Sequence, residues 1–220
     1  NIVGLLGFIK NKKYNFLNNT LVWTSILKAL DDYPLLGIKL VQKLIGKFEK
    51  SDIGCMGNNI ASEKLFKLVG FDTGILNHYY LINEKINRFK LIKFKNKKKL
   101  TKKSLSLKVD YRFLNVTNIS LIKNYYIKDK NYKYILNKYI LNKFYNYKVV
   151  TILNKHNKIQ NLFVFRIIRK NKSSCIRVVD YLGKFIDFKK NIFVFNDLLR
   201  KYNSEYLDFY TSKKISTKLL

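Results

Sequence analysis

The chain is 220 residues long, 47% hydrophobic and strongly basic, with a formal net charge of +30. Its length suffices for one large domain or two small ones, and no apolar run approaches the roughly 20 residues of a membrane-spanning helix. The only cysteines are Cys55 and Cys175, and neither belongs to a CxxC or a cysteine–histidine cluster, which predicts neither a disulfide framework nor a metal site.

The first 84 residues are nearly neutral, with a net charge of +3, and their patterning is typical of an ordinary folded domain. Apolar and β-branched runs predict strands at residues 2–9, 21–27, 51–56 and 75–82. Helices are predicted between the second and third strands and between the third and fourth. The expected order is therefore strand, strand, helix, strand, helix, strand.

The first helix is predicted from its cap and its apolar spacing. Asp32 is the expected N-cap residue, Pro34 lies in the first turn, and apolar residues recur at spacings of three and four from Leu36 to Phe48. A helix between two strands predicts a right-handed crossover, so the flanking strands are expected to be parallel.

Most of the excess charge lies in the middle of the chain, where residues 85–148 carry +17. We predict a basic linker at residues 85–110, which includes the run Lys97-Lys98-Lys99. This run is compatible with a solvated connector and with a specific polyanion site. Residues 111–147 are rich in tyrosine, asparagine, lysine and isoleucine without a clear period, so no element is predicted there.

The last part of the chain repeats the earlier order of elements. Strands are predicted at residues 161–168, 174–183 and 204–210, with a short helix at 193–202. We interpret residues 111–220 as an incomplete second module, which stops before a second helix and a last strand. Because the chain also opens on Asn1 and has no secretory signal, we expect a cytoplasmic segment of a longer protein.

The most informative motif is Asn59-Ile-Ala-Ser-Glu-Lys-Leu-Phe-Lys-Leu-Val-Gly-Phe71. It predicts a helix of about three turns that is ended by glycine and followed by an aromatic residue. The segment resembles the closing motif N-x-x-A-x-x-L-Y-x-x-x-G-F of the GNAT superfamily of acyl-CoA-dependent N-acyltransferases. The resemblance implies an α/β fold with a mixed sheet, in which residues 1–84 form the C-terminal part of a GNAT-like domain.

The resemblance also implies that acetyl-CoA, or another acyl-CoA, binds as co-substrate. In the family a loop of pattern Q/R-x-x-G-x-G/A holds the pyrophosphate at a helix N-terminus. Leu35 stands at the first glycine position and Asp32 at the Q/R position, so an ordinary capped helix is the alternative. Asn59 is equally compatible with a plain helix cap. The candidate cofactor-binding residues are Leu36, Gly37, Ile38, Lys39 and Asn59.

The candidate catalytic residues are His78 and Tyr79. Histidine changes charge near neutral pH and serves as an acid or a base, and only His156 competes with His78. The tyrosine that often acts as general acid in GNAT proteins is replaced by Phe66, which has no proton to give. On a strand, Tyr79 and Tyr80 are expected to point to opposite faces. A structural role for a histidine on a strand is the alternative.

Three carboxylates, Asp180, Glu205 and Asp208, lie in apolar strands of the second module. Burial raises the pKa of a carboxyl group and favours function as a base. The alternative is a strand-end residue in water or paired with lysine, which we favour for Asp208.

Further segments resemble GNAT-like proteins of bacterial surface-polysaccharide and lipopolysaccharide biosynthesis. The resemblance covers residues 1–84 and 160–210, including 67–80, 177–183 and 205–210, and it implies a tandem arrangement. It also implies transfer of an acetyl or similar acyl group to an amine on an amino sugar or sugar nucleotide. Backbone amides beside residues 21–27 would polarise the thioester carbonyl. A small sugar-type acceptor is the expected partner.

Two other functions fit parts of the sequence. The basic residues 85–148 with interleaved tyrosines fit an RNA- or ribosome-associated protein, so nucleic acid is an alternative partner. Lysines far outnumber arginines, however, and arginine is the better bidentate reader of phosphate. Leu35 and Phe66 fit a degenerate GNAT domain that binds glycans or proteins without turnover.

Overall fold

The computed structural model describes residues 1–10, 20–93, 110–124, 130–183 and 188–212. The chain divides into two units, Asn1–Ile75 and Leu76–Leu220. The lysine run at 97–99 in the expected basic linker lies outside the described residues. In the part of the chain that is described, no helix has the length and apolar character needed to cross a membrane.

The first unit is built on a hairpin and a crossover. Strands β1 (Gly4–Lys10) and β2 (Thr20–Ala29) are antiparallel, and β2 runs parallel to β3 (Ser51–Cys55). Helix α1 (Leu36–Lys47) connects β2 to β3, so the expected parallel crossover is confirmed. The buried centre of this sheet and its helix consists of Val22, Leu44 and Phe48.

Helix α1 begins later than the sequence predicts. Its N-cap residue is Leu35, which has a φ of 68°, and no side chain caps the helix. Pro34 lies in the preceding turn, where the Leu36 amide donates to the Tyr33 carbonyl oxygen at 3.2 Å. The prediction of Asp32 as the cap was wrong, because this backbone turn and a left-handed residue lead the chain into the helix instead.

Helix α2 (Ile60–Leu68) forms where the motif predicts it. The side-chain oxygen of Asn59 accepts a hydrogen bond from a first-turn amide at 2.8 Å. At the other end Gly70 has a φ of 89°, and the Phe71 amide donates to the Phe66 carbonyl oxygen at 3.0 Å. The left-handed backbone conformation of Gly70 and the hydrogen bond from Phe71 to Phe66 end the helix, as the motif indicates.

The second unit is a larger mixed sheet with a long helix packed against one of its faces. Its strands are β4 (Asn77–Ile82), β5 (Tyr111–Leu114), β6 (Tyr147–Leu153), β7 (Ile159–Lys170), β8 (Ser173–Leu182) and β9 (Tyr206–Thr211), and the helix is α4 (Phe188–Lys201). Among the described strands the order is β4-β9-β8-β7-β6-β5, and β8 and β9 are the only parallel neighbours. The core between this sheet and α4 includes Phe163, Phe165, Phe195, Leu198 and Leu207.

Strand β4 belongs to the second unit, although the sequence placed it at the end of the first module. It pairs with β9 in antiparallel register, from Asn77 opposite Thr211 to Ile82 opposite Tyr206. The apolar side of β4 packs against the core of the second unit through Leu81. β4 therefore occupies the edge position that the second module was expected to lack, and the division near residue 75 differs from the expected module boundary at 84.

The sequence predicted no element for residues 111–147 and missed β6. The described parts of this region contain β5, a 3-10 turn (Ile119–Ile122), the short helix α3 (Tyr132–Ile135) and a π-helical segment (Leu136–Ile140). Most of β6 is buried, so its apolar residues form a continuous run without the alternation that marks a half-exposed strand.

The two units repeat one arrangement, β1-β2-α1-β3 in the first and β7-β8-α4-β9 in the second. Each consists of an antiparallel hairpin and a helix that leads to a parallel strand. The second strand of each hairpin carries a bulge, because the pairing skips Ser25 in β2 and Val179 in β8. The repeat seen in the sequence therefore extends to matching backbone irregularities, which increase the local twist.

Candidate active site

Strands β8 and β9 separate soon after they meet. Their parallel ladder consists of two pairs, Ile176 with Leu207 and Arg177 with Asp208. Beyond the second pair β8 continues through its bulge and β9 through its last residues, and neither pairs with the other again within the described residues. Among the described residues, no pairing between the two strands fills the opening beyond Arg177 and Asp208.

A cluster of four polar side chains lies where the strands separate. Asp208, which is 1% exposed, accepts hydrogen bonds from Nε and Nη2 of Arg177 at 3.0 and 2.7 Å. His78 Nε2 lies 3.1 Å from Asp208 Oδ2. The imidazole stacks on the Tyr210 ring with centroids 4.3 Å apart, and the Arg177 guanidinium lies over the same ring. These contacts join β4, β8 and β9 and fix the plane of the imidazole.

The hydrogen bonds determine which nitrogen of His78 is available to a ligand. A carboxylate only accepts, so Nε2 donates to Asp208 and Nδ1 of the neutral ring carries the lone pair. The side chain of His78 is 41% exposed, which leaves part of the ring open to solvent. The hydrogen bond with Asp208 raises the pKa of Arg177, so the guanidinium remains a cation that balances the buried carboxylate.

The structure separates the two candidate catalytic residues. Tyr79 stacks on Phe209 with centroids 5.5 Å apart and packs against the core, on the face of the sheet opposite His78. Side chains alternate along a strand, so Tyr80 rather than Tyr79 shares the face of His78. Tyr79 therefore does not join the cluster around Asp208.

The candidate cofactor residues lie in the first unit, at the start of α1. Leu35, which stands where the family pattern has its first glycine, adopts a left-handed backbone conformation. Within the described residues the amides of Gly37 and Ile38 have no hydrogen-bond partner, whereas the Leu36 amide is bonded in the preceding turn. Lys39 follows them and is exposed. Unpaired amides at the positive end of a helix suit an anion.

Other residues of the family motifs have packing roles. A Cβ atom at Gly37 would lie 3.0 Å from Leu65 Cδ1, so glycine allows α1 and α2 to approach closely. Asn59 uses its side-chain oxygen as the cap of α2, and its NH2 group has no partner in the described part of the chain. Phe66 is 3% exposed and contacts Phe71 edge-on, so it belongs to the core.

The other two candidate carboxylates have structural partners. Glu205 is 3% exposed and accepts hydrogen bonds from the backbone amides of Lys90 and Leu91 at 2.9 and 2.8 Å. These bonds hold part of the expected linker within the second unit. Asp180 pairs with Lys130 at 2.6 Å and accepts a hydrogen bond from the Tyr139 hydroxyl at 2.6 Å.

Sequence reasoning missed Arg177 as a site residue and placed Asp208 in water or beside a lysine, which was wrong. Strand β9 lies between β8 and β4, so neighbouring strands cover its side chains from both sides. One signal was present in the sequence. Arg177 and Asp208 are each a charge within the apolar run of a predicted strand, and a buried charge requires a partner.

The packing around Tyr139 makes the fold sensitive to alkaline pH. Burial, and then the charge of Asp180, raise the pKa of the Tyr139 hydroxyl. The folded chain therefore keeps this proton after the unfolded chain has lost it, so the stabilisation is complete below about pH 10 and decreases above it. Burial lowers the pKa of the neighbouring Lys138, which acts with the opposite sign.

We expect the free energy of unfolding of Tyr139→Phe to decrease less between about pH 9.5 and 11 than that of the wild type, because phenylalanine does not titrate. Urea denaturation across this range measures the difference. Tyr33→Phe is the matched control because Tyr33 is 47% exposed, and it should follow the wild type. Parallel pH profiles for wild type and Tyr139→Phe would contradict this account.

Three solved structures that resemble this chain are described as N-acyltransferases or as a probable one. A GCN5-related N-acetyltransferase from Anabaena variabilis matches 98% of this chain and 54% of its own, with a TM-score of 0.54 and 11% identity. Saccharomyces cerevisiae N-myristoyltransferase, solved with myristoyl-CoA and inhibitors, matches 99% and 60%, with a TM-score of 0.52 and 12% identity. An Enterococcus faecalis probable N-acyltransferase matches 98% and 53%, with a TM-score of 0.55 and 9% identity.

No protein-family profile and no curated protein matches the sequence. The chain spans 53% to 60% of the length of these three solved chains. The similarity extends over nearly all of this chain and includes its mixed sheets and its parallel crossovers. The chain therefore has the mixed α/β fold of the GCN5-related N-acetyltransferases.

Proposed function

We propose that the protein is an acyl-CoA-dependent N-acyltransferase. The observation that carries the proposal is the His78–Asp208 pair at the opening between β8 and β9. In the GNAT family, a gap between splayed strands admits the pantetheine arm of the co-substrate. A histidine oriented by a buried carboxylate beside such a gap is suited to remove a proton from an acceptor amine.

The side chains at this opening suit direct transfer. The neutral amine attacks the thioester carbonyl carbon, the C–N bond forms, the C–S bond breaks, and the CoA thiolate leaves. Nδ1 of His78 takes the proton that the amine loses, and Asp208 stabilises the resulting imidazolium. Beyond Arg177 the amides of β8 have left the ladder with β9, where one of them can stabilise the oxyanion that develops on the carbonyl.

The start of α1 suits the pyrophosphate of acetyl-CoA or of another acyl-CoA at a donor site of the first unit, which we propose separately from the opening beside His78 in the second unit. The amides of Gly37 and Ile38 are unpaired within the described residues, and Lys39 adds a cation. The left-handed conformation of Leu35 supports this role, because the family pattern has glycine there. The NH2 group of Asn59, which has no partner among the described residues, is the proposed contact to the co-substrate arm.

The proposed acceptor is an amino sugar or a sugar nucleotide used for surface polysaccharide or lipopolysaccharide in the cytoplasm. Its support is the resemblance of residues 67–80, 177–183 and 205–210 to proteins of that kind. The structure adds that Arg177 and Asp208, from two of these segments, contact each other. The repeated arrangement with its two bulges supports a tandem protein.

Calorimetry with acetyl-CoA on the full chain tests the proposed donor. We expect saturable binding, and we expect Lys39→Gln to weaken it about three- to tenfold, because one charge-assisted contact to phosphate is lost. Lys43→Gln is the matched control, since Lys43 is exposed on the same helix one turn further from its N-terminus. It should change the dissociation constant by less than about twofold, because the dipole effect is confined to the first turn.

A degenerate domain that binds without turnover is the second candidate, and the buried Phe66 in place of the family tyrosine favours it. The absence of both binding heat and a thermal shift with acetyl-CoA would favour this alternative over an acyltransferase. Steep salt-dependent retention on RNA, together with no response to acetyl-CoA, would instead favour an RNA-binding protein.

A further inference from the structure

A second arginine lies on the sheet face that carries His78. Arg166 of β7 is the register partner of Arg177, and cross-strand partners project from the same face of a sheet. Like charges that lie directly opposite each other are destabilising, so this pair of arginines requires compensation. Asp208 supplies it for Arg177 through two hydrogen bonds.

Arg166 has no such compensation within the described residues. Its Nε is buried and has no hydrogen-bond partner there. The other carboxylate on this face, Asp180, already holds Lys130 and the Tyr139 hydroxyl. A guanidinium cannot lose its proton in a protein, and a buried N–H without a partner is costly. Within the described part of the chain, the positive charge of Arg166 and its Nε–H are therefore left for an anion.

One tyrosine lies against this guanidinium, and a second tyrosine lies beside the first. The Arg166 guanidinium carbon lies 5.0 Å from the centroid of the Tyr145 ring. Tyr147 of β6 is the register partner of Arg166, and the Tyr145 and Tyr147 rings are 5.6 Å apart. Tyr145 is 50% exposed, so this aromatic wall is open to solvent. An arginine guanidinium that lies over an aromatic ring is suited to bidentate binding of phosphate or carboxylate.

The location of Arg166 relates it to His78. Strand β7 is two strands from β9, so Arg166 lies about 10 Å from Asp208 along the sheet, given about 4.8 Å between neighbouring strands. His78 contacts Asp208 from the far side, on β4. A molecule with its amine at His78 would reach Arg166 with a group that is several bonds away.

We propose that Arg166, with Tyr145 and Tyr147, forms a subsite for an anionic group, a phosphate or a carboxylate, on the amine acceptor. This inference rests on the proposed N-acyltransferase function and specifies its substrate class. Amines that carry a negative charge, such as amino-sugar phosphates, are the preferred acceptors, and neutral amino sugars bind weakly.

Calorimetry on the full chain with glucosamine 6-phosphate and with glucosamine, at equal ionic strength, tests the subsite without requiring turnover. We expect the phosphorylated amine to bind at least about tenfold more tightly, since a charge-assisted bidentate contact is gained. Arg166→Gln should remove this preference. Arg166→Lys should retain part of it, because lysine keeps the charge and loses the planar fork.

The matched control is Arg169→Gln, because Arg169 lies on the same strand and is exposed. It should leave the preference intact, and unchanged melting temperatures would show that all variants are folded. Equal affinities of the wild type for both amines, or equal losses from Arg166→Gln and Arg169→Gln, would overturn the subsite. If Arg166→Gln weakens acetyl-CoA instead of the phosphorylated amine, the anion belongs to the donor and the proposal is wrong.

Failure of the proposed function has a different result. If glucosamine 6-phosphate binds in an Arg166-dependent way but no acetyl transfer to any amine is detected, the anion site is supported and the proposed acyltransferase function is contradicted. If glucosamine and glucosamine 6-phosphate are acetylated at equal rates, the acyltransferase function is supported and the proposed anion subsite is contradicted. Each proposal therefore has an outcome that contradicts it alone.

Discussion

Replacing His78 with glutamine is expected to lower kcat for acetyl transfer by about a hundred- to ten-thousandfold, the usual contribution of a general base. Glutamine can still donate to Asp208, but it cannot accept a proton from the amine at neutral pH. The KM for acetyl-CoA should stay within about threefold, because the loss affects proton transfer in the transition state. Steady-state CoA release with an amino-sugar acceptor measures both constants.

Asp208→Asn and His156→Gln complete this experiment. Asp208→Asn should shift the pH–rate profile of transfer as well as lower the rate, because it weakens the stabilisation of the imidazolium. His156 is exposed on the turn before β7, so His156→Gln should behave as the wild type. If His78→Gln keeps more than about a tenth of the activity with an unchanged pH profile, His78 is not the base.

Replacing Arg177 with methionine is expected to lower the free energy of unfolding by about 3–5 kcal/mol. This is the usual range when one partner of a buried ion pair is removed and the other charge stays buried without compensation. Asp208 is 1% exposed and would keep only the neutral or charged imidazole of His78 as a side-chain partner among the described residues. Methionine fills a similar volume, so the change tests the charge rather than a cavity. Urea denaturation at neutral pH measures the difference.

A double variant and a surface arginine supply the controls for Arg177→Met. Arg177→Met combined with Asp208→Leu should be more stable than Arg177→Met alone, because an apolar pair leaves no uncompensated charge. Arg169→Met, on the exposed part of β7, should change stability by less than about 0.5 kcal/mol. A double variant that is less stable than Arg177→Met would show that the pair does not act through its charges.

The sequence predicts correctly those elements that are determined by residues close together in the chain. Helix α2 lies where its cap, its closing glycine and its apolar spacing predict, because Asn59 and Gly70 act on backbone groups a few residues away. The parallel relation of β2 and β3 also followed from the sequence, since a helix between two strands leaves one favourable crossover. The start of α1 was misplaced because a backbone turn and a strained leucine replace the side-chain cap.

The candidate site was predictable in part. The sequence alone makes His78 a candidate, because a histidine side chain can act as an acid or a base near neutral pH. Arg177 and Asp208 lie about 100 and 130 residues further along the chain than His78, so their contact depends on strand pairing rather than on local spacing. Tyr79 follows His78 in the sequence, and adjacent residues of a strand face opposite sides of the sheet, so the structure separates these two candidates.

The sequence by itself determined the mixed α/β class, the repeated strand–strand–helix–strand order and the helix of the closing motif, because capping, turns and apolar periodicity act over a few residues. Only the tertiary structure decided that β4 joins the second sheet, that β8 and β9 separate at Asp208, and that Arg166 and Arg177 lie side by side. These features depend on which sheet edge accepts a strand and in which register, and that choice follows from contacts between segments that are distant in the chain.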